Sequence, residues 1–479
     1  MVNLLVLAAL ALQVNACGIA PDASHAMPGA GEVAAPKTEV MFFFDAEDYT
    51  SDTPNDALRD LANLFTEEGA RVHVALVGYL AHELERYGRK DVVAALRPHV
   101  MGTQSMYHSK HPNVLELADG ADYEAAYRRV RAEEEEGVGL IRRVTGKEPI
   151  FAVPPGNSKC YVAMDVYADL GLRFYCDTVA ATGDGGNWFA NLRQFDYGES
   201  MECLIPRPGK TPAPVDWKAM LDRIAARPRQ ILFLHPCMAV NRQFWDGVNY
   251  NRTNACEFGK WKLPQRRAEA DTRLYYARLR ELIRRLKADG RFVFPTLEEK
   301  LSEESPRVAI RLSDAKRLAA HMDRGIDAVE DPSWSVADVF AASVKFLRGE
   351  TAHEPGRVHG FLDRPFAVER PVTLKVSDLR AAARAIDLSG FLPAFVDVGG
   401  ARIGPGDFLR AALHALADGG ETVMVGPSDP LAALARFDRL RKFRPAGTWV
   451  FWPAFKDEYT SDRLRYQVWT WRVPRLSCR

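Results

Sequence analysis

Three short stretches set polar, chemistry-bearing residues directly after apolar runs. Phe44 is followed by Asp45-Ala46-Glu47-Asp48-Tyr49. A run near residue 100 leads into Gly102-Thr103-Gln104-Ser105-Met106-Tyr107-His108-Ser109-Lys110-His111-Pro112, and Leu234 is followed by His235-Pro236. Carboxylates and imidazoles gathered at one end of a sheet are the donors a divalent cation needs around an open coordination position. Such a cation lowers the pKa of bound water towards about 7, and a neighbouring carboxylate or imidazole can then carry protons. Strand alternation would aim Asp45 and Glu47 to the same side.

These residues need elements that bring them together. Glu39 to Phe44 is too apolar to alternate, which predicts a strand buried on both faces. Leu58, Leu61, Ala62 and Phe65 follow at helical spacing, with Gly69 where the helix would end. Strands are predicted at Arg71 to Val77 and around His99 to Thr103. Tyr123, Ala126, Tyr127 and Val130 open a long charged helix closed by Gly146, and its run Glu133 to Glu136 reads as a solvated face. Pro149 to Val153, Arg173 to Cys176, Ile231 to Leu234 and Phe292 to Phe294 read as further strands, with helices at Met164 to Leu170 and Tyr275 to Leu286. About seven βα units argue for a mainly parallel sheet with helical crossovers, barrel or doubly wound. On such a scaffold chemistry collects at the C-terminal ends of the strands. After Leu301 the rhythm changes to short helical stripes (Val336, Val339, Phe340, Ser343, Leu347, then Leu379, Ala382, Ala383, Ile386).

Composition bounds the function class. The 479 residues suffice for two or three domains. Lys+Arg and Asp+Glu are both 63, so the chain lacks the basic footprint of a nucleic-acid binder. Leu4 to Leu12 is an apolar run ending at Val14-Asn15-Ala16-Cys17, the layout of an export signal over 1–16 with a linker over 17–37. Met1-Val2-Asn3 departs from it by carrying no basic residue. Cys17 resembles the lipidated cysteine of a bacterial lipoprotein. The layout predicts a secreted, periplasmic or cell-envelope protein whose membrane link is a lipid anchor at Cys17. Seven cysteines include no CxxC pair. Six remain without Cys17, an even number compatible with an oxidising compartment, and spacing does not give a connectivity.

The strand ends resemble the motifs of polysaccharide deacetylases of the NodB-homology type, carbohydrate esterase family 4. That family opens on Phe-Asp-Asp-Gly, the first Asp being the base and the second a metal ligand. One branch carries Phe-Asp-x-Glu-Asp-Tyr, matched by Phe44 to Tyr49. The resemblance implies Asp45 as base and either Glu47 or Asp48 as carboxylate ligand. The family's His-Ser-x-x-His pair is matched by Gln104 to His108, with Gln at the first ligand position, and His108 with His111 offers a competing frame. The groove motif Arg-x-Pro-x-Gly survives as Val153-Pro154-Pro155-Gly156 without its Arg, leaving Pro155 and Gly156 as substrate-binding residues. Leu232-Phe233-Leu234-His235 matches Leu-x-Leu-His and implies His235 as general acid.

The resemblance spans about 39 to 301. It implies an α/β fold: a distorted (β/α) barrel over 38–303, followed by a smaller, mainly helical C-terminal domain over 304–479. Leu379 to Leu416 resembles a pseudomurein-binding repeat, which implies a module holding a glycan or cell-wall polysaccharide. Trp449, Trp452, Trp469 and Trp471 are then sugar platforms or core residues. The implied activity is metal-dependent hydrolysis of acetyl groups on an N-acetylated glycan. A divalent cation, zinc by preference, would be held by Glu47 or Asp48 with Gln104 and His108. The alternative is a secreted glycan-binding protein whose deacetylase fold has lost catalysis. Gln104 and the missing Arg favour it, while Asp45 and His235 oppose it.

Overall fold

The apolar run at Val40–Phe44 becomes an interior strand of a ten-stranded sheet, with partners on both sides. In this computed structural model, residues 37–475 are described apart from 157, 182–185, 208, 251–255, 446–454 and 456. The expected export signal, nearly all of the linker, Cys17, Trp449, Trp452 and Cys478 lie outside the described residues. The strands are β1 Thr38–Ala46, β2 Val72–Leu76, β3 Val100–Thr103, β4 Phe151–Ala152, β5 Phe174–Cys176, β6 Trp188–Phe189, β7 Leu192–Phe195, β8 Glu199–Ser200, β9 Arg229–Leu234 and β10 Phe292–Val293. Their order is β6-β7-β5-β4-β3-β2-β1-β9-β8, with β10 against the start of β1. Every pairing is parallel except the β6–β7 hairpin, and the sheet curls into a half-barrel. The α/β class and the barrel-like curl expected from the sequence are what the chain adopts.

Register explains why the three polar stretches meet. Phe44 pairs with Leu234, Ala46 with Leu76, and Leu76 with Thr103. The C-terminal ends of β1, β2, β3 and β9 are therefore level, and whatever follows them emerges on one edge.

The helices are α1 Asp52–Glu67, α2 Gly78–Arg86, α3 Lys90–Leu96, α4 Val114–Ala118, α5 Tyr123–Thr145, α6 Tyr161–Asp169, α7 Trp217–Ala225, α8 Pro236–Val240, α9 Trp245–Asn249 and α10 Glu269–Ala288. Helix α1 buries Leu58, Leu61, Ala62 and Phe65, the stripe its spacing predicts. Helix α5 is capped by the Asp122 side chain and stops at Gly146, whose φ of 70° suits a residue without Cβ.

One expectation about α5 fails. Glu134 is fully buried, not solvated. It falls on the buried stripe of Val130, Val138 and Ile141, where α5 packs against α2 and α6. Its carboxyl accepts the Met106 backbone N–H at 3.3 Å and the Tyr167 hydroxyl at 2.8 Å. Tertiary packing overrides the polarity of the run.

Residues beyond 304 form helices Ala315–Met322, Val336–Leu347, Val376–Ala385 and Pro405–Asp418 with three two-stranded sheets. Phe340, Phe408 and Trp469 belong to one continuous apolar core with Tyr161, Tyr175 and Phe189. Trp469 and Trp471 are buried in it, and the Trp469 indole donates to the Pro430 carbonyl. The five described cysteines (Cys160, Cys176, Cys203, Cys237, Cys256) are all unpaired. Among the described residues no helix is long and apolar enough to cross a membrane.

Candidate active site

A cavity of about 600 Å³ opens at the level edge of the sheet. Asp45, Glu47, Gln104, His108, Gly156 and His235 line it, joined by Asp177, Tyr197, Phe233, Phe244 and Asp246. Asp45 is still within β1, while His235 directly follows β9 and precedes Pro236, the first residue of α8. Proline is pre-set for that position and turns strand into helix without a spacer.

Asp45 and His235 face each other, Nε2 to Oδ2, at 3.4 Å. Each is fixed on its other side. The Tyr197 hydroxyl donates to Asp45 Oδ1 at 2.7 Å, and that ring stacks on Phe233 at 4.7 Å between centroids. His235 Nδ1 pairs with Glu202 Oε1 at 2.7 Å, and the same oxygen accepts the His235 backbone N–H at 3.0 Å. Burial lifts the Asp45 carboxyl to about 7, against the pull of His235 and the Tyr197 hydrogen bond. For His235 burial works against the charged form, but Glu47, Glu202 and Asp45 overcome it and raise the imidazole to about 10.

A second group sits beside this pair. Glu47, His108 and Asp246 are buried, with one donor atom from each lying within 4.8 Å of the others. Glu47 Oε2 is 2.9 Å from His108 Nε2, and Glu47 Oε1 accepts the Trp245 indole N–H at 3.2 Å. The Ser109 hydroxyl bridges His108 Nδ1 at 2.6 Å and Asp246 Oδ2 at 3.0 Å. Burial alone would raise Glu47, but His108 and then His235 hold it below its ordinary value. Burial would lower His108, but Glu47 and Asp246 raise it. Burial and the Glu47 charge lift Asp246 to about 7.

His108 is held by a contorted turn. Ser105 and His108 have φ of 65° and 57°, the left-handed region that non-glycine residues enter at a cost. The start of α2 holds the turn in place: the N–H groups of Gly78 and Tyr79 donate to the carbonyls of Ser105 and Met106 at 3.0 and 2.8 Å. Those are orphan donors of a helix N-terminus, so turn and helix satisfy each other. The approach needs two glycines. A Cβ on Gly78 would lie 2.6 Å from the Gly137 Cα and 2.8 Å from the Met106 Sδ, and one on Gly137 would lie 3.2 Å from the Met106 Cα.

The sequence left Glu47 and Asp48 open as the carboxylate ligand, and the two are placed differently. Glu47 lines the cavity beside His108. Asp48 does not line it, and its Oδ1 accepts the Thr50 backbone N–H at 2.9 Å and hydroxyl at 2.6 Å, ordering the chain before α1. Gln104 does line the cavity, and its buried Oε1 has no hydrogen-bond partner. His111 sits outside the Glu47 group, with Nδ1 on Glu116 at 2.8 Å. Gly156 lines the cavity and Pro155 does not.

Sequence reasoning missed Asp246, Tyr197 and Glu202. The one signal for Asp246 was an acid between aromatics and glycine (Phe244-Trp245-Asp246-Gly247) in the segment after the His235 strand, which folds as the short helix α9. Tyr197 and Glu202 stand in no motif. Two carboxylates and one imidazole form a hard-to-borderline donor set, with the idle amide oxygen of Gln104 in the same cavity, so a divalent cation fits the residues present.

No family model matches the chain, and no curated protein does either. Solved structures do. A family 4 carbohydrate esterase from Streptomyces lividans is 14% identical, matched over 55% of this chain and 94% of its own, with a TM-score of 0.29. A polysaccharide deacetylase from Bacillus cereus is 17% identical over 42% and 80% of the two chains, at 0.25. A CE4 family pseudoenzyme from Bacillus anthracis is 14% identical over 42% and 56%, at 0.27, so this chain spans little more than half its length.

Proposed function

We propose that this chain is a metal-dependent hydrolase that removes acetyl groups from an N-acetylated glycan. The observation that carries the proposal is the Asp45–His235 pair, each member anchored by its own partner and both opening onto the cavity that holds Glu47, His108 and Asp246. A divalent cation held by Glu47, His108 and Asp246, zinc by preference, would polarise the acetyl carbonyl and acidify a water. The protein's own residues do the rest. Tyr197 fixes one oxygen of Asp45, leaving Oδ2 to take the proton of the attacking water. Glu202 holds the Nδ1 side of His235, so its Nε2 is the nitrogen that protonates the departing amine. Phe233 and Phe244 wall the cavity against the His235 ring, their centroids 6.0 and 4.8 Å from it, and help fix its orientation.

The proposal extends to place and partner. Residues 1–16 act as an export signal, 17–37 as a tether with lipid at Cys17, and 304–479 as the part that holds the polymer.

A second reading, a glycan-binding protein without turnover, has one observation in its favour: among the described residues no arginine lines the cavity. Acetate release from N-acetylglucosamine oligomers by the zinc-loaded protein separates the two. Asp45→Asn should leave folding and zinc content intact and cut the rate by about 10²–10⁴-fold. Full activity in Asp45→Asn would remove Asp45 as base, and no acetate from the wild type would favour the binding reading.

A further inference from the structure

A second cavity, of about 310 Å³, lies between helix Val336–Leu347, the segment from His353 to His359 and the turn from Leu388 to Leu392. Its floor is one helix face, Ala337, Ala341 and Lys345 at successive turns, where two small side chains leave room. Leu388 and Leu392 form an apolar wall.

His353 lines this cavity with 8% of its surface exposed, and neither ring nitrogen has a hydrogen-bond partner. A buried imidazole with both nitrogens idle is costly, and native structures normally satisfy such groups. Burial and the Lys345 charge push its pKa down, so the ring is neutral and offers one donor and one acceptor.

The cations nearby are mostly spent. Arg307 is paired with Asp338, and Arg357 with Asp165 and Asp169. Lys345 makes no ion pair among the described residues, and it reaches the cavity.

We propose that this cavity is a second ligand site, for a single sugar ring that carries a carboxylate. Its volume is at the lower end of the roughly 300–1,000 Å³ of small-molecule sites, enough for one ring. The leucine wall takes a C–H face of the ring. His353 supplies the donor and acceptor that a hydroxyl needs, with the Ser389 hydroxyl and Glu354 at the mouth for others, and Lys345 takes the carboxylate. The site lies outside the candidate active site and does not depend on the hydrolase proposal.

Calorimetry on the full chain with glucuronate, glucose and inorganic phosphate tests it. Glucuronate should bind at least tenfold more tightly than glucose, and equimolar phosphate should not displace it. Lys345→Met should weaken glucuronate at least tenfold and leave glucose unchanged. Ala341→Leu, which fills the floor, should abolish both. Thermal melts establish that each variant is folded, and neither residue belongs to the hydrolytic cavity. No glucuronate binding, equal binding of glucose, displacement by phosphate, or unchanged affinity in both folded variants would each overturn the proposal.

Discussion

Replacing Glu134 with glutamine tests how the site is supported. Glu134 is buried on α5, and its oxygens receive the Met106 N–H of the turn carrying His108 and the Tyr167 hydroxyl of α6. Burial, reinforced by Glu133, raises its carboxyl from 4.5 to about 8. A carboxyl raised by folding is held neutral in the native state. Its favourable contribution is complete below pH 4.5, where the unfolded chain is also protonated, and is lost as pH rises through 8. Carrying one carboxyl across that interval amounts to on the order of 5 kcal/mol, a large share of a typical folding stability. Glutamine is isosteric and never ionises. Its oxygen can still accept the Met106 N–H, and its amide can donate to the Tyr167 hydroxyl. Glu134→Gln and wild type should therefore melt together near pH 5 and diverge as pH rises, the variant becoming the more stable. A few kcal/mol corresponds to roughly 5 °C or more in a chain of this size, and the gap should level off above pH 8. Thermal melts of both proteins in steps from pH 5 to 9 provide the measurement. A difference in melting temperature that stays flat across that range, or that favours wild type at pH 9, would refute the reasoning.

Asp246→Asn removes one anionic donor from the Glu47–His108–Asp246 group, and zinc affinity measured by calorimetry should fall about 10-fold or more. Gln104→His puts an imidazole where a buried amide oxygen is idle, and should tighten zinc binding in the same assay. His111→Ala, lying outside that group, should leave zinc affinity unchanged. Cutting the chain after residue 303 uncovers the core that Phe340, Phe408 and Trp469 share with Tyr161 and Phe189, so the 38–303 fragment should melt well below the full chain and bind a hydrophobic dye.

What was legible in the sequence was legible for local reasons. The unbroken apolar runs at Val40–Phe44 and Ile231–Leu234 are too short for a helix and read as buried strands, and they pair with each other inside the sheet. The Gly146 stop reflects backbone geometry that glycine meets best. The level strand ends follow from parallel pairing, which put Asp45, His108 and His235 around one cavity. Asp246, Tyr197 and Glu202 were not legible. Tyr197 stands in a loop, Glu202 in a single 3-10 turn and Asp246 in the five-residue helix α9, all too short to show a period, and Asp246 stands 137 residues from the Ser109 hydroxyl that bonds it. Glu134 was misread for a related reason. A run of four glutamates spans a full helical turn, so one of them must point inward, and only the neighbours α2 and α6 decide which face that is.

The contact of Gly78 and Gly137 with Met106 gives the site a mechanical property. The backbones of Gly78 and Gly137 meet there with the Met106 backbone and side chain wedged against them, so little slack remains to absorb a shift in the spacing of α2 and α5. The 104–108 turn moves with that spacing as a rigid part, and the imidazole of His108 moves with the turn. Mutational drift that spreads the two helices, however far from the cavity, would be transmitted almost undamped to the imidazole. Drift at Tyr197, which stands in the loop between β7 and β8, does not pass through that contact. The cavity thus has one stiff jaw at the 104–108 turn, and its shape can change without disturbing His108 only elsewhere along its lining.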